Sequence, residues 1–359
     1  MKTYLAVPYN EKDEAKGLGA RWDAAKKSWY IEDDKDKSNF KKWMSNTVVV
    51  TSSVDPYSEF KIALEEAGLI IPNLPIMDGK IHRVSVDGDS AGKKSGSYKG
   101  FVDGHPAGFI QNFKLGYKGN WKSKETKLSK EQIEIMKANA LNKKLKREQE
   151  IVDEQNEKAI IVRKRWLSLE DAPIDHPFLV KKKINVNGTK INEYGNIVIP
   201  MHDINDDIWS LQRINDSGIK AYEKGAKKSG MFYMVGQKSE KYILIAEGFS
   251  TASSLNNILS FGVYVAFDSG NILEVLSNLK SKYPDKKVII FADDDHSNEI
   301  NAGLEKAYEA SEKYDGKVFV PQFSSQERSC GFTDFNDLIN AESQSGKLQI
   351  AEILTYLNS

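Results

Sequence analysis

Three aspartates stand in a row at Asp293, Asp294 and Asp295, directly after the apolar run KKVIIFA and before His296. Two further apolar runs end in the same way, KYILIA at Glu247 and VYVAF at Asp268. Each run has the length of a buried strand and none alternates cleanly, which suits a parallel sheet covered on both faces. Such sheets bind ligands outside the carboxyl ends of their strands. Glu247, Asp268, Asp293 and Asp295 are therefore expected to face one crevice. Carboxylates gathered there repel one another and raise one another's pKa unless a cation offsets them. Oxygen donors without cysteine point to Mg²⁺ or Mn²⁺ and away from zinc. His296 would favour Mn²⁺, although a lone histidine beside acids is more often a surface residue. One acid after a strand is ordinary, because aspartate favours turns. Three strand ends in succession, one of them carrying D-x-D, are not.

The elements around these acids follow from the patterning. Helix-like TASSLNNILS and GNILEVLSNLKSKY separate the runs, and NEINAGLEKAYEASEKY then KVFVP follow the third. Alternating strand and helix predicts an α/β domain. Upstream the expectation is α+β. Residues 1–50 form a small module of unknown role: a strand in YLAVPY, a helix in EKDEAKGLGARWD, a strand in KKSWYI and a helical SNFKKWM, with Trp22, Trp29 and Trp43 as its core. Residues 55–124 open on the helix DPYSEFKIALEEAGL, where Phe60, Ala63, Leu64 and Ala67 share a face and Gly68 caps the end. A small antiparallel sheet follows, broken by turn signals such as DGK, DGD and KGN. A mostly solvated helical connector covers 125–160, with Ser129 and Gln132 as a capping box. Region 161–236 precedes the acid-bearing domain at 237–342, and an amphipathic helix closes the chain at 343–359.

The 359 residues allow two or three domains at roughly 100 to 200 residues each. No apolar run nears the roughly 18 residues of a membrane span, and the N-terminus lacks a signal-peptide core. One cysteine, Cys330, excludes an internal disulfide framework and a cysteine-based zinc site, so a reducing, cytoplasmic setting is expected. Formal net charge is zero but uneven: nine lysines against Asp103 and Glu125 lie between Lys93 and Lys130. The same stretch holds Tyr98, Phe101, Phe109, Phe113, Tyr117 and Trp121. Two readings stand open. The aromatics stack on bases while lysines track a nucleic-acid backbone, or the aromatics face inward and the lysines are a solvated surface.

Glu247-Gly248 after one strand, with Asp293-Asp294-Asp295 after a later one, resembles the Toprim domain of DnaG-type primases, type IA and II topoisomerases and some nucleases. AEGFSTASSL, VAFDSGNI and FTDFNDL resemble that domain in plasmid TraC-type and satellite-phage alpha-type primases. HPFLVKKKI, IVIPMHDINDDIWSLQRIN and GIKAYEKGAKKSGMFYMVG look like the segment that precedes it there. KIHRVSVDGDSAGKKSGSYKGFVDGHPAGFIQNF also resembles TraC-type proteins, so the likeness spans about 55–340. The first 50 residues look like an uncharacterised module attached to plasmid and conjugation proteins.

The resemblance implies a DNA primase that makes short RNA primers on single-stranded DNA by two-metal phosphoryl transfer, in plasmid, phage or mobile-element replication. It assigns the catalytic and metal roles to Glu247, Asp293 and Asp295, with Glu247 either a ligand or the group that activates the 3′-hydroxyl. Asp268, Asp334 and Asp337 are further metal candidates, and Asp294 is a bystander. Arg213 and Lys220 match the family's basic motif, and Lys227 and Lys228 follow it, for nucleotide and template phosphates. Nucleoside triphosphates and a separate helicase or replication protein are the implied partners, with no membrane. Two features depart from many relatives: no cysteine-based zinc module and no G-x-x-x-x-G-K-[ST] loop. A metal-dependent Toprim nuclease and a non-catalytic single-strand-binding accessory of conjugation are the alternatives.

Overall fold

A computed structural model describes residues 2–44, 55–102, 105–123, 130–296 and 301–359. It divides into two compact units, Met1–Glu150 and Ile151–Ser359.

The first unit holds two antiparallel sheets. The smaller has the order Lys2–Leu5, Ser28–Glu32, Arg21–Asp23. It closes over helix Lys12–Gly17 and the tight helical turn Lys37–Trp43, around Leu5, Ile31, Phe40 and Trp43. The expected three-tryptophan core needs correction. Trp43 is buried and Trp29 partly so, but Trp22 is 51% exposed. The cause lies at Gly19, whose φ of 102° ends the helix early. Residues Arg21–Asp23 therefore become an edge strand, and Trp22 sits edge-on against Trp29 at its rim.

The larger sheet is a meander of His82–Val84, Gly96–Phe101, Ala107–Asn112 and Tyr117–Lys122. Helix Pro56–Glu66 covers one face, its first turn capped by Asp55, which accepts from Tyr57 N and Ser58 N. Phe60 lies across the paired Gly100 and Gly108. A Cβ at Gly108 would stand 2.4 Å from the Phe60 ring. Gly108→Val should therefore cost about 1–3 kcal/mol through overpacking. Urea unfolding would show this as a lower midpoint at an unchanged m-value.

Helix Lys130–Ser168 contributes to both units. Ser129, its expected cap, lies outside the described residues. The helix is more engaged than a solvated connector. The Asn142 amide accepts from Tyr4 N at 2.7 Å and donates to Tyr4 O at 2.8 Å. It thus satisfies backbone groups on the open edge of strand Lys2–Leu5. Ala138, Leu141 and Leu145 pack beside it on Tyr4 and Ala6.

The second unit also has two sheets. One is antiparallel, with the order Lys220–Tyr222, Ile208–Ile214, Ile197–His202, Lys190–Ile191, Glu170–Asp171. The other has the order Tyr233–Val235, Val263–Val265, Tyr242–Ala246, Lys287–Phe291, Lys317–Phe319, and is parallel except at its first strand. Two-sided burial explains why its strands read as unbroken apolar runs. Leu244, Ala246, Ile289 and Phe291 enter one core with helices Phe249–Leu259, Phe335–Asn340 and Gln344–Asn358. Ile243, Ile245, Val288 and Ile290 enter the other with helices Ile272–Lys282 and Ala302–Tyr314. The expected α/β plus α+β class is the one found. From Tyr242–Ala246 the chain moves to a neighbour on one side, then returns to a neighbour on the other. The switch point beyond Ala246 is where a ligand crevice is expected. Among the described residues no helix is long and apolar enough to cross a membrane.

Candidate active site

Glu247 directly follows the central strand Tyr242–Ala246, and the chain turns at Gly248 into helix Phe249–Leu259. Asp293 stands two residues beyond the adjacent strand Lys287–Phe291. Asp268 lies past Val263–Val265 on the other side. The turn that presents Asp268 is strained. Phe267 has a φ of 72°, a left-handed conformation rare for a bulky residue. Its N donates to Glu247 O at 2.8 Å, and its O accepts from the Tyr222 hydroxyl at 2.7 Å. Buried Asn271 secures the same turn, donating to Ala266 O and Met231 O while accepting from Gly230 N. Tyr222 and Asn271 lie within stretches singled out in the sequence, yet neither was given a role. A buried bridging polar group leaves no periodic signal.

Charge is concentrated here. Burial pushes the Asp293 carboxyl well above the usual range, and the negative charges of Asp334, Glu247 and Asp295 add to this while Lys220 opposes it. Asp293 Oδ1 is buried and has no hydrogen-bond partner among the described residues. Burial also raises Glu247, with Asp268 and Asp295 adding and Lys220 and Lys228 opposing. Asp334 is raised by burial and by Asp337, against Lys182, Lys220 and the hydrogen bond from Asp337 N. Glu247, Asp293 and Asp334 thus feel the charge of Lys220, while Asp295 acts on Glu247 and Asp293, and Asp268 on Glu247. The Lys228 ammonium pairs with Asp268 Oδ2 and lies 4.5 Å from the centre of the Tyr222 ring.

The other sequence candidates are held by different partners. Asp294 is buried, with a carboxylate 3.0 Å from Arg328 Nη2 and 3.4 Å from Asn301 Nδ2, and its N donates to Thr333 O at 2.7 Å. His296 folds back on it, Nδ1 lying 3.0 Å from Asp294 O. Asp337 accepts from Thr333 N and pairs with Lys182 at 3.3 Å. Asp334, besides its place in the crevice, caps helix Phe335–Asn340 by accepting from Asp337 N at 2.8 Å. Lys227 lies over the Trp209 ring at 4.7 Å, and Arg213 reaches the Tyr222 carbonyl at 3.5 Å.

Among the described residues no three acidic or histidine side chains already converge as a metal site. The donor set nevertheless fits a hard divalent cation. It is oxygen-only, carries excess negative charge and includes the buried Asp293 oxygen, which has no partner among the described residues.

Comparison with known proteins adds three findings. Residues 2–45 match a domain of unknown function (DUF5710). The chain resembles, in fold only, the primase fragment of the bacteriophage T7 primase-helicase protein, at 13% identity and a TM-score of 0.37 over 51% of this chain and 80% of that one. A DnaG primase catalytic domain bound to single-stranded DNA gives 12% identity and a TM-score of 0.31, over 58% and 92%. Two DNA primases TraC of Escherichia coli are 35% and 36% identical, each over 91% of this chain. The chain spans only 32% and 24% of their respective lengths. The strand-end carboxylates therefore belong to a chain that is similar, over nine-tenths of its own length, to about a third or less of the length of two DNA primases TraC.

Proposed function

We propose that this protein is a DNA primase that joins ribonucleotides into short primers on single-stranded DNA. The observation that carries this reading is the cluster of Glu247 and Asp293 at the sheet's switch point, within a chain similar to DNA primases TraC. Glu247, Asp293 and Asp295 are the oxygen donors in this reading, with Asp268 and Asp334 beside them. Bound Mg²⁺ or Mn²⁺ would neutralise phosphate charge and favour the attacking hydroxyl. Lys220, exposed and facing the acids, supplies a positive charge to the phosphates of an incoming nucleotide. Lys228 holds Asp268 in place, and Tyr222 supports both Lys228 and the strained Phe267 turn. In this reading residues 161–236 form the basic subdomain and 237–342 the catalytic one. Nucleoside triphosphates are substrates, a separate helicase or replication protein opens the duplex, and the setting is cytoplasmic.

The test incubates the protein with single-stranded DNA, labelled ribonucleotides and Mg²⁺ or Mn²⁺. Short labelled oligomers that disappear with Glu247→Gln support the reading. Shortened DNA without oligomers would make the protein a nuclease. Binding with neither product would make it an accessory protein.

A further inference from the structure

The four-stranded sheet of the first unit buries one face and leaves much of the other, apart from buried Ser97, in contact with solvent. Helix Pro56–Glu66 covers Tyr98, Ile110 and the paired glycines. The alternate residues point the other way, and the strand register arranges them in three rows. Arg83, Ser97, Gln111 and Lys118 form one row. Lys99, Phe109 and Asn120 form the next, and Phe101, Ala107 and Lys122 the third. These rows contain four cations and no acid. Asp78, bridged to Phe101, has its carboxylate engaged by His82 at 2.8 Å.

Phe109 is the informative residue. It lies on an inner strand, where a phenylalanine ordinarily stabilises a fold by being covered. Here it is 36% exposed, between Lys99 and Asn120. Phe101 stands diagonal to it, with Lys99 and Arg147 over its ring at 5.3 and 5.0 Å. Lys118 and Lys122 are exposed at the edge strand. Rings beside lysines complement a single-stranded nucleic acid, which offers both base faces and phosphates. A duplex hides its base faces within the stack. We propose that this open face binds single-stranded DNA, with a base stacked on Phe109 and phosphates along Lys99, Lys118 and Lys122. The choice of DNA rests on the primase reading above.

The experiment measures fluorescence anisotropy of a labelled oligothymidylate with the full chain in EDTA, across a salt series. The triple variant Lys99→Gln, Lys118→Gln, Lys122→Gln should bind at least about tenfold more weakly. Its slope of log affinity on log salt should be shallower by about 2, at roughly 0.7 per lost phosphate contact. Phe109→Ala should weaken binding roughly 5- to 100-fold at an unchanged slope, while Phe109→Trp retains binding because stacking tolerates any large ring. Wild-type affinity and slope in the triple variant and in Phe109→Ala would overturn the proposal. So would equally tight binding to duplex DNA. Circular dichroism melts identify any variant that fails to fold, and Phe109→Trp then carries the test. If these variants bind normally while the wild type makes primers, the open face alone is refuted. If binding depends on the face but no primers form, the catalytic reading alone is refuted.

Discussion

In EDTA, Asp293→Asn will unfold at a higher temperature than the wild-type chain, and with Mg²⁺ restored it will lose nearly all primer synthesis. Both outcomes come from one feature. Asp293 Oδ1 is buried, without a partner among the described residues, and feels the charges of Asp334, Glu247 and Asp295. An asparagine of the same shape has no proton to lose and offers N–H donors to the remaining carboxylates. Relief of an unsatisfied buried polar group amounts to about 1–3 kcal/mol, and each ~1 kcal/mol moves Tm by roughly 2–4 °C in a unit of this size. The pH dependence has a definite sign. Asp293, Glu247 and Asp334 keep protons in the folded chain that unfolded carboxylates release near pH ~4. Metal-free stability therefore falls as pH rises from there through the raised folded-state values, and Asp293→Asn flattens the fall. Mg²⁺ should raise the wild-type Tm more than that of the variant. Primer synthesis should drop about 10³-fold or more, the scale of losing several kcal/mol of charge stabilisation. A variant no more stable than wild type in EDTA, or one that makes primers near the wild-type rate, would contradict the site.

Much of this arrangement was legible because it is periodic. Continuous apolar runs followed by Glu247, Asp268 and Asp293 specify strands buried on both faces, and sheet topology puts their carboxyl ends on one edge. Legibility stopped where position depends on a single backbone angle or a distant partner. Trp22 left the expected core because Gly19 ends a helix early. Asn142 looks like one more polar residue on a solvated helix, yet it bonds both backbone groups of Tyr4, 138 positions away. Composition could not distinguish Lys227 from Lys228 either. Adjacent in the chain, one lies over Trp209 and the other pairs with Asp268. The structure gives the burial of these aromatics residue by residue. Strand alternation sends Tyr98 inward and leaves Phe109 outward, so neither a wholly buried nor a wholly exposed set is correct.

The middle aspartate gives the opposite expectation to its neighbour. Asp294→Ala should destabilise the protein, and Asp294→Asn should keep most of its primer synthesis. Asp294 holds Arg328 at 3.0 Å from a position where its own side chain is only 12% exposed, and its N reaches Thr333 O, next to Asp334. It therefore fastens the loop after strand Lys287–Phe291 to the segment that carries Asp334. Arg328 is 44% exposed and can turn to water once its partner is removed. The loss should therefore fall near 1–3 kcal/mol and below the 3–5 kcal/mol of a fully buried pair. A double-mutant cycle with Arg328→Ala measures the part owed to the pair, and a coupling of about 0.5–3 kcal/mol is expected for groups in contact. Asparagine keeps an acceptor for Arg328 and leaves the crevice carboxylates in place. Its rate should therefore stay within about tenfold of wild type, a barrier change of about 1.4 kcal/mol, while Asp293→Asn and Asp295→Asn fall far lower. Equal loss at all three positions would mean that the whole D-D-D run acts at the reacting centre and that the Arg328 contact is incidental.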